Sequence, residues 1–60
     1  MPFVIVEMWE GRTGDQKKQL AKDITDAFVK ISVPPEAVQI VFKDNAKSNW
    51  ALGGKLASEK

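Results

Sequence analysis

Two kinds of periodicity divide the chain. Along Pro2–Trp9, Pro2, Val4, Val6 and Met8 fall on one side of an extended backbone, and Phe3, Ile5, Glu7 and Trp9 on the other. Both sides are largely apolar, which suits a central strand covered on both faces. Glu10-Gly11-Arg12-Thr13-Gly14 reads as a turn. Thr13 followed three residues later by Gln16 is the capping-box pattern that opens a helix, and Asp15 in the first turn suits the helix dipole. Leu20, Ala21, Ile24, Ala27, Phe28 and Ile31 then recur at helical spacing, with Lys17, Lys18, Lys22, Asp23, Asp26 and Lys30 mainly on the opposite side. That pattern predicts an amphipathic helix of about four to five turns packed on a sheet.

Val33-Pro34-Pro35-Glu36 ends the helix, because proline cannot continue it and the residue before proline avoids helical geometry. Pro35 starts one short turn through Ala37. Val38–Phe42 predicts a second strand, with Val38, Ile40 and Phe42 on one face and Gln39, Val41 and Lys43 on the other. Strand, helix and strand in so short a chain make a β-α-β unit, with parallel strands and a right-handed crossover. Asp44–Trp50 is polar and turn-rich. Gly53-Gly54 between Ala51-Leu52 and Lys55-Leu56 predicts a hairpin that pairs with another subunit's sheet edge, and Ala57–Lys60 reads as loosely ordered. The fold class is α+β: a β-α-β protomer with a short C-terminal hairpin.

Size changes how this pattern is read. The 60 residues form one domain, and a domain of this length buries only about 60% of the surface of its unfolded chain. Small scaffolds need a staple, and the chain has neither cysteine for disulfides or thiolate zinc nor histidine for the commonest metal site. Subunit association is the staple that remains, and a hydrophobic share of 43% agrees with it. The net charge of +1, without a basic run, offers no footprint for nucleic acid. No apolar stretch approaches a membrane span, and the N-terminus lacks the basic region of a signal peptide, so a cytoplasmic address is expected.

The candidate chemistry starts at Pro2. Removal of Met1 turns its nitrogen into a secondary amine at the head of a strand. In a chain without histidine or cysteine, that amine is the outstanding base. A free α-amine titrates near 7.7 to 8.0 and a secondary amine higher, while an apolar pocket and a nearby cation both lower the value toward working pH. Val4, Trp9, Trp50 and Leu52 are candidates for the first effect and Arg12 for the second. Each residue has an ordinary explanation when taken alone. Proline in second place aids removal of Met1, an arginine after a turn glycine is usually solvated, and tryptophans are more often core or interface residues. Gly53-Gly54 lacks the context of a phosphate loop.

The combination is more specific. Pro after Met1, Glu10-Gly11-Arg12 closing the first strand, the capped Gln16-Lys17 helix and Trp50-Ala51-Leu52-Gly53-Gly54 together resemble the 4-oxalocrotonate tautomerases, from Pro2 to about Ser58. The resemblance implies a single tautomerase-like domain over residues 1–60, assembled as a homo-hexamer (a trimer of dimers). It implies a cofactor-free keto–enol tautomerase of 2-hydroxydienoate acids such as 2-hydroxymuconate, formed in aromatic compound catabolism. By the same resemblance Pro2 is the general base, Arg12 grips a substrate carboxylate, and Trp50 walls the pocket, with Trp9 and Leu52 nearby. One departure stands out. The family's second arginine falls at Gln39, which is neutral, and charge-assisted bonds are roughly twice as strong as neutral ones. Lys43 shares Gln39's face but lies about 13 Å along the strand, too far to replace it. A monoacid enol is therefore a second substrate candidate. A hydratase or lyase acting on unsaturated monoacids, with Pro2 protonated, is the alternative within the fold. A non-catalytic oligomeric module is the alternative if Met1 is retained.

Overall fold

A computed structural model describes residues 1–59; Lys60, the end of the expected loose tail, lies outside the described residues. Strand β1 (Phe3–Trp9) leads into helix α1 (Gly14–Val29), and β2 (Gln39–Asn45) returns beside β1. Strands β3 (Ala51–Leu52) and β4 (Lys55–Leu56) follow, and three short 3-10 turns occupy Pro35–Ala37, Lys47–Asn49 and Ala57–Glu59. β1 and β2 pair in parallel from Phe3↔Gln39 to Trp9↔Asn45, and β3 pairs antiparallel with β4 as a separate two-stranded sheet. The α+β architecture, the parallel pair and the hairpin all match the sequence pattern.

The helix starts as its local sequence dictates. The Gln16 amide donates to Thr13 Oγ1 at 3.1 Å, and the Thr13 amide donates to Gln16 Oε1 at 3.0 Å. It stops earlier than the prolines require. Ser32 takes a positive φ of 73°, its amide donates to the Val29 carbonyl, and the Val33 amide donates to the Phe28 carbonyl. These two reversed bonds satisfy carbonyls that the last turn leaves free, the arrangement usually built around glycine. Ile31 consequently leaves the apolar stripe and is 69% exposed.

The second strand begins one residue later and runs three residues further than its apolar pattern indicates. Val38 stays outside because its amide caps the preceding turn on the Pro35 carbonyl. Lys43-Asp44-Asn45 is polar yet extended, because partners elsewhere hold it. Lys17 Nζ on α1 meets Asp44 Oδ2 at 2.7 Å. The Asn45 side-chain amide donates to Glu7 Oε1 at 2.9 Å and to the Met8 carbonyl at 3.2 Å.

Burial alternates along both strands. Val4, Val6, Met8, Ile40 and Phe42 are half-buried on the face that α1 covers. Phe3, Ile5, Trp9 and Val41 look away from the helix and remain exposed. Within the protomer β1 is therefore covered on one face only and paired on one edge only, unlike the central strand its composition predicts. Among the described residues, Trp50 and Lys47 reach the other face at its Trp9 end, while Phe3, Ile5 and Val41 stay exposed.

No described residue is fully buried. The radius of gyration is 14.5 Å, against roughly 10 Å for a compact chain of this length. The exposed surface is 4702 Å², where a folded 6.7 kDa monomer exposes roughly 3,900 Å². The excess of about 800 Å² equals one partner's share of a standard protein–protein interface.

The C-terminal segment is better ordered than its small residues suggest. Gly53 and Gly54 both take positive φ, 64° and 83°, the combination a type I′ hairpin turn requires. The Ala57 amide donates to the Trp50 carbonyl at 2.7 Å, and the Leu56 amide to Glu59 Oε2 at 2.8 Å. Ala57–Glu59 is thereby held as a 3-10 turn rather than left loose.

Candidate active site

The residues singled out from the sequence fall into two groups. At the N-terminal end of β1, Pro2 is half-buried and its carbonyl accepts the Gln39 amide at 3.0 Å. This bond extends the β1–β2 ladder by one step and places Gln39 beside the head of β1. The Gln39 side chain is exposed, with Nε2 4.0 Å from Met1 Sδ. While Met1 is attached, the Pro2 nitrogen is a tertiary amide with no basic lone pair. Its removal both creates the amine and frees the Gln39 amide beside it.

At the other end of β1, the chain turns through Glu10 and Gly11. The Glu10 amide donates to the Asn45 carbonyl at 2.9 Å, and Gly11 takes a φ of 113°, a conformation that side chains disfavour. Arg12 follows, set between this glycine turn and the Thr13 helix cap, so its backbone is fixed on both sides. It lines two adjoining clefts. One, of about 230 Å³, is completed by Met8, Gln16, Lys17 and Leu20. The other, of about 390 Å³, is completed by Met8, Trp9, Glu10, Gly11 and Lys47.

Trp9 and Trp50 meet edge to face, with ring centroids 5.9 Å apart and planes at 76°. The 3-10 turn after β2 brings Trp50 there, its amide donating to the Lys47 carbonyl at 3.3 Å. The same turn lays Lys47 Nζ over the Trp9 ring, 5.0 Å from the centroid. Leu52 lies two residues beyond Trp50 in β3 and is 77% exposed.

One protomer thus joins Pro2 to Gln39, and Arg12 to Trp9 through their shared cleft, with Trp50 packed edge to face on Trp9. It does not join the two groups. Seven strand steps of about 3.3 Å separate Pro2 from Trp9, about 23 Å in all. Lys47 was not apparent as a site residue from the sequence. Its role depends on a ring 38 positions away, and a lysine in a polar turn carries no local signal.

Comparison with known proteins agrees with this architecture. Residues 2–60 match the family model described as tautomerase enzyme. A probable tautomerase of Bacillus cereus is 44% identical over 61 residues, covering the whole of both chains. One of Listeria monocytogenes is 35% identical over 60 residues, covering 98% of each. Among solved structures, a 4-oxalocrotonate tautomerase isozyme of Methylibium petroleiphilum superimposes with a TM-score of 0.89 at 34% identity, covering 95% of this chain and 94% of its own. A heterohexameric 4-oxalocrotonate tautomerase of Chloroflexus aurantiacus gives 0.90 at 28% identity, covering 98% and 97%. With the match running over almost every residue in both sequence and backbone, this chain belongs to the tautomerase family and has the fold of the 4-oxalocrotonate tautomerases.

Proposed function

We propose that the chain is a cofactor-independent keto–enol tautomerase of 2-hydroxydienoate acids such as 2-hydroxymuconate, with Pro2 as general base once Met1 is removed. The observation that carries this reading is the place of Pro2. It stands half-buried at the head of β1 with Gln39 beside it, in a chain whose composition supplies no histidine or cysteine. The neutral amine takes the proton of the 2-hydroxyl group. The electron pair moves through the conjugated chain, and the same nitrogen returns a proton to a distal carbon. Nothing is gained or lost, so one group that is first base and then acid suffices.

In this reading the working site is shared between protomers. Pro2 and Gln39 come from one subunit, and Arg12, Trp9, Trp50 and Leu52 from another that lies head to tail with it. Arg12 holds a carboxylate through paired parallel hydrogen bonds, the geometry a guanidinium favours. The exposed Phe3, Ile5 and Val41 face, and the absence of a buried residue among the described ones, support association of subunits, which in this reading form a homo-hexamer, a trimer of dimers. A cytoplasmic address goes with the same reading. Gln39 favours a second one, turnover or hydration of unsaturated monoacids, since an amide offers hydrogen bonds but no charge.

The test joins intact mass to kinetics. Protein from its native host is expected to lack Met1. Pro2→Ala is expected to lower kcat at least 100-fold, the lower end for loss of a general acid–base group, with the assembly mass unchanged. Retained Met1, or a Pro2→Ala protein of undiminished activity, sinks the mechanism.

A further inference from the structure

We infer that Lys47 is the second substrate-binding cation of this site, and that it selects acids bearing a carboxylate remote from the reacting enol. The assignment rests on the tautomerase reading above. It concerns the larger cleft, where Arg12 and Lys47 stand on the same walls.

Three observations taken together point to this pair. First, both are uncommitted: among the described residues neither side chain has a hydrogen-bond or ion-pair partner. The two ion pairs are Lys17–Asp44 and Lys22–Asp26. Glu10 also lines the cleft but reaches neither cation. Second, the smaller cleft, which Arg12 also lines, has its lysine neutralised by Asp44 at 2.7 Å, so only the larger one presents two open positive charges. Third, Lys47 is positioned rather than free. Its backbone belongs to the 3-10 turn closed by the Trp50 amide, and its ammonium lies 5.0 Å from the centre of the Trp9 ring. A cation held over an indole face keeps its donors for a ligand while giving up side-chain freedom in advance.

The opposite end of the site explains why a second cation matters. Beside Pro2 stands Gln39, an amide, so with the Pro2 amine neutral the enol end brings no positive charge of its own. A dicarboxylate reaching from that end to the cleft of a neighbouring subunit would find its compensating charges together at the far carboxylate. Arg12 supplies the planar fork and Lys47 a compact ammonium. The missing positive charge at Gln39 therefore does not exclude diacids.

The test compares 2-hydroxymuconate with 2-hydroxy-2,4-pentadienoate, which keeps the reacting enol acid and lacks the remote carboxylate. Wild-type, Lys47→Met and Lys47→Arg proteins are assayed on both. In Lys47→Met the diacid-to-monoacid ratio of kcat/KM is expected to fall at least tenfold, with the loss in KM, and in Lys47→Arg to recover to within threefold of wild type. A smaller fall, or no recovery with arginine, overturns the assignment. If wild-type protein turns over neither acid, the tautomerase reading fails and the cleft is tested alone by calorimetric titration with adipate against hexanoate. A tenfold or greater weakening of adipate binding in Lys47→Met upholds Lys47 as the carboxylate site. Adipate binding that is absent from wild type, or less affected by the substitution, overturns it.

Discussion

Replacing Ile5 by aspartate tests the assembly and the shared site together. Ile5 occupies the middle of the uncovered sheet face, opposite Val41 in the β1–β2 register, and half of its surface remains exposed in the protomer. Full burial of an isoleucine is worth about 1.5–3 kcal/mol, so covering the remaining half in an interface contributes about 0.8–1.5 kcal/mol per copy. Ile5→Asp forfeits that and adds the cost of burying an unpaired carboxylate, several kcal/mol. A combined loss of about 3 kcal/mol per site weakens association roughly 100-fold or more, and a two-fold interface counts it twice. Sedimentation across a dilution series is therefore expected to show Ile5→Asp as monomer or unfolded chain where the wild type remains assembled. Both outcomes agree with a protomer that has no buried residue among those described. Tautomerase activity should disappear in parallel, because Pro2 and Arg12 lie at opposite ends of one strand. Lys18→Gln, on the exposed helix surface, makes the same change of one charge and is the control for it. Ile5→Asp protein that keeps wild-type mass and activity at the same dilution would refute the reasoning.

Two further outcomes follow from the same structure. Arg12→Ala removes paired hydrogen bonds to a charged group, each worth about 1.5–3 kcal/mol, so KM for a carboxylate substrate is expected to rise at least about 100-fold; steady-state kinetics identical to wild type would exclude Arg12 as the clamp. Ser32→Gly relieves a side chain held at a φ of 73°, and a net gain of about 0.5–1 kcal/mol, after the greater freedom of unfolded glycine, should raise the thermal midpoint by a few degrees at equal protein concentration. A midpoint that stays put or falls would mean that the Ser32 side chain contributes more than its backbone strain costs.

The start of α1 was legible because its whole cause lies within four residues: Thr13 and Gln16 bond to each other's backbone whatever surrounds them. The two faces of β1 were legible for a similar reason, since strand geometry sends successive side chains to opposite sides. The hairpin is also local, because the two positive φ values it needs fall on adjacent glycines. Other boundaries answered to partners far along the chain. Asp44-Asn45 reads as the start of a polar turn until Lys17, Glu7 and the Met8 carbonyl supply its bonds. The helix end was decided by hydrogen bonds around Ser32 rather than by the prolines beyond it.

Candidate chemistry divides along the same line. Residue type and order alone made Pro2 the outstanding base candidate once Met1 is removed, put Arg12 after a turn glycine and, through the family resemblance, set Gln39 at the place of a second arginine. Only the tertiary structure decided which of these residues meet. The parallel register carries Gln39 to Pro2 and leaves Arg12 past the far end of a strand about 23 Å long. The turn after β2 packs Trp50 edge to face against Trp9 and lays Lys47 over the same ring. Hydrogen bonds between near neighbours can be read from a short stretch of sequence. Contacts between residues 38 or 41 positions apart depend on strand pairing and on where the chain folds back, and no local pattern encodes them.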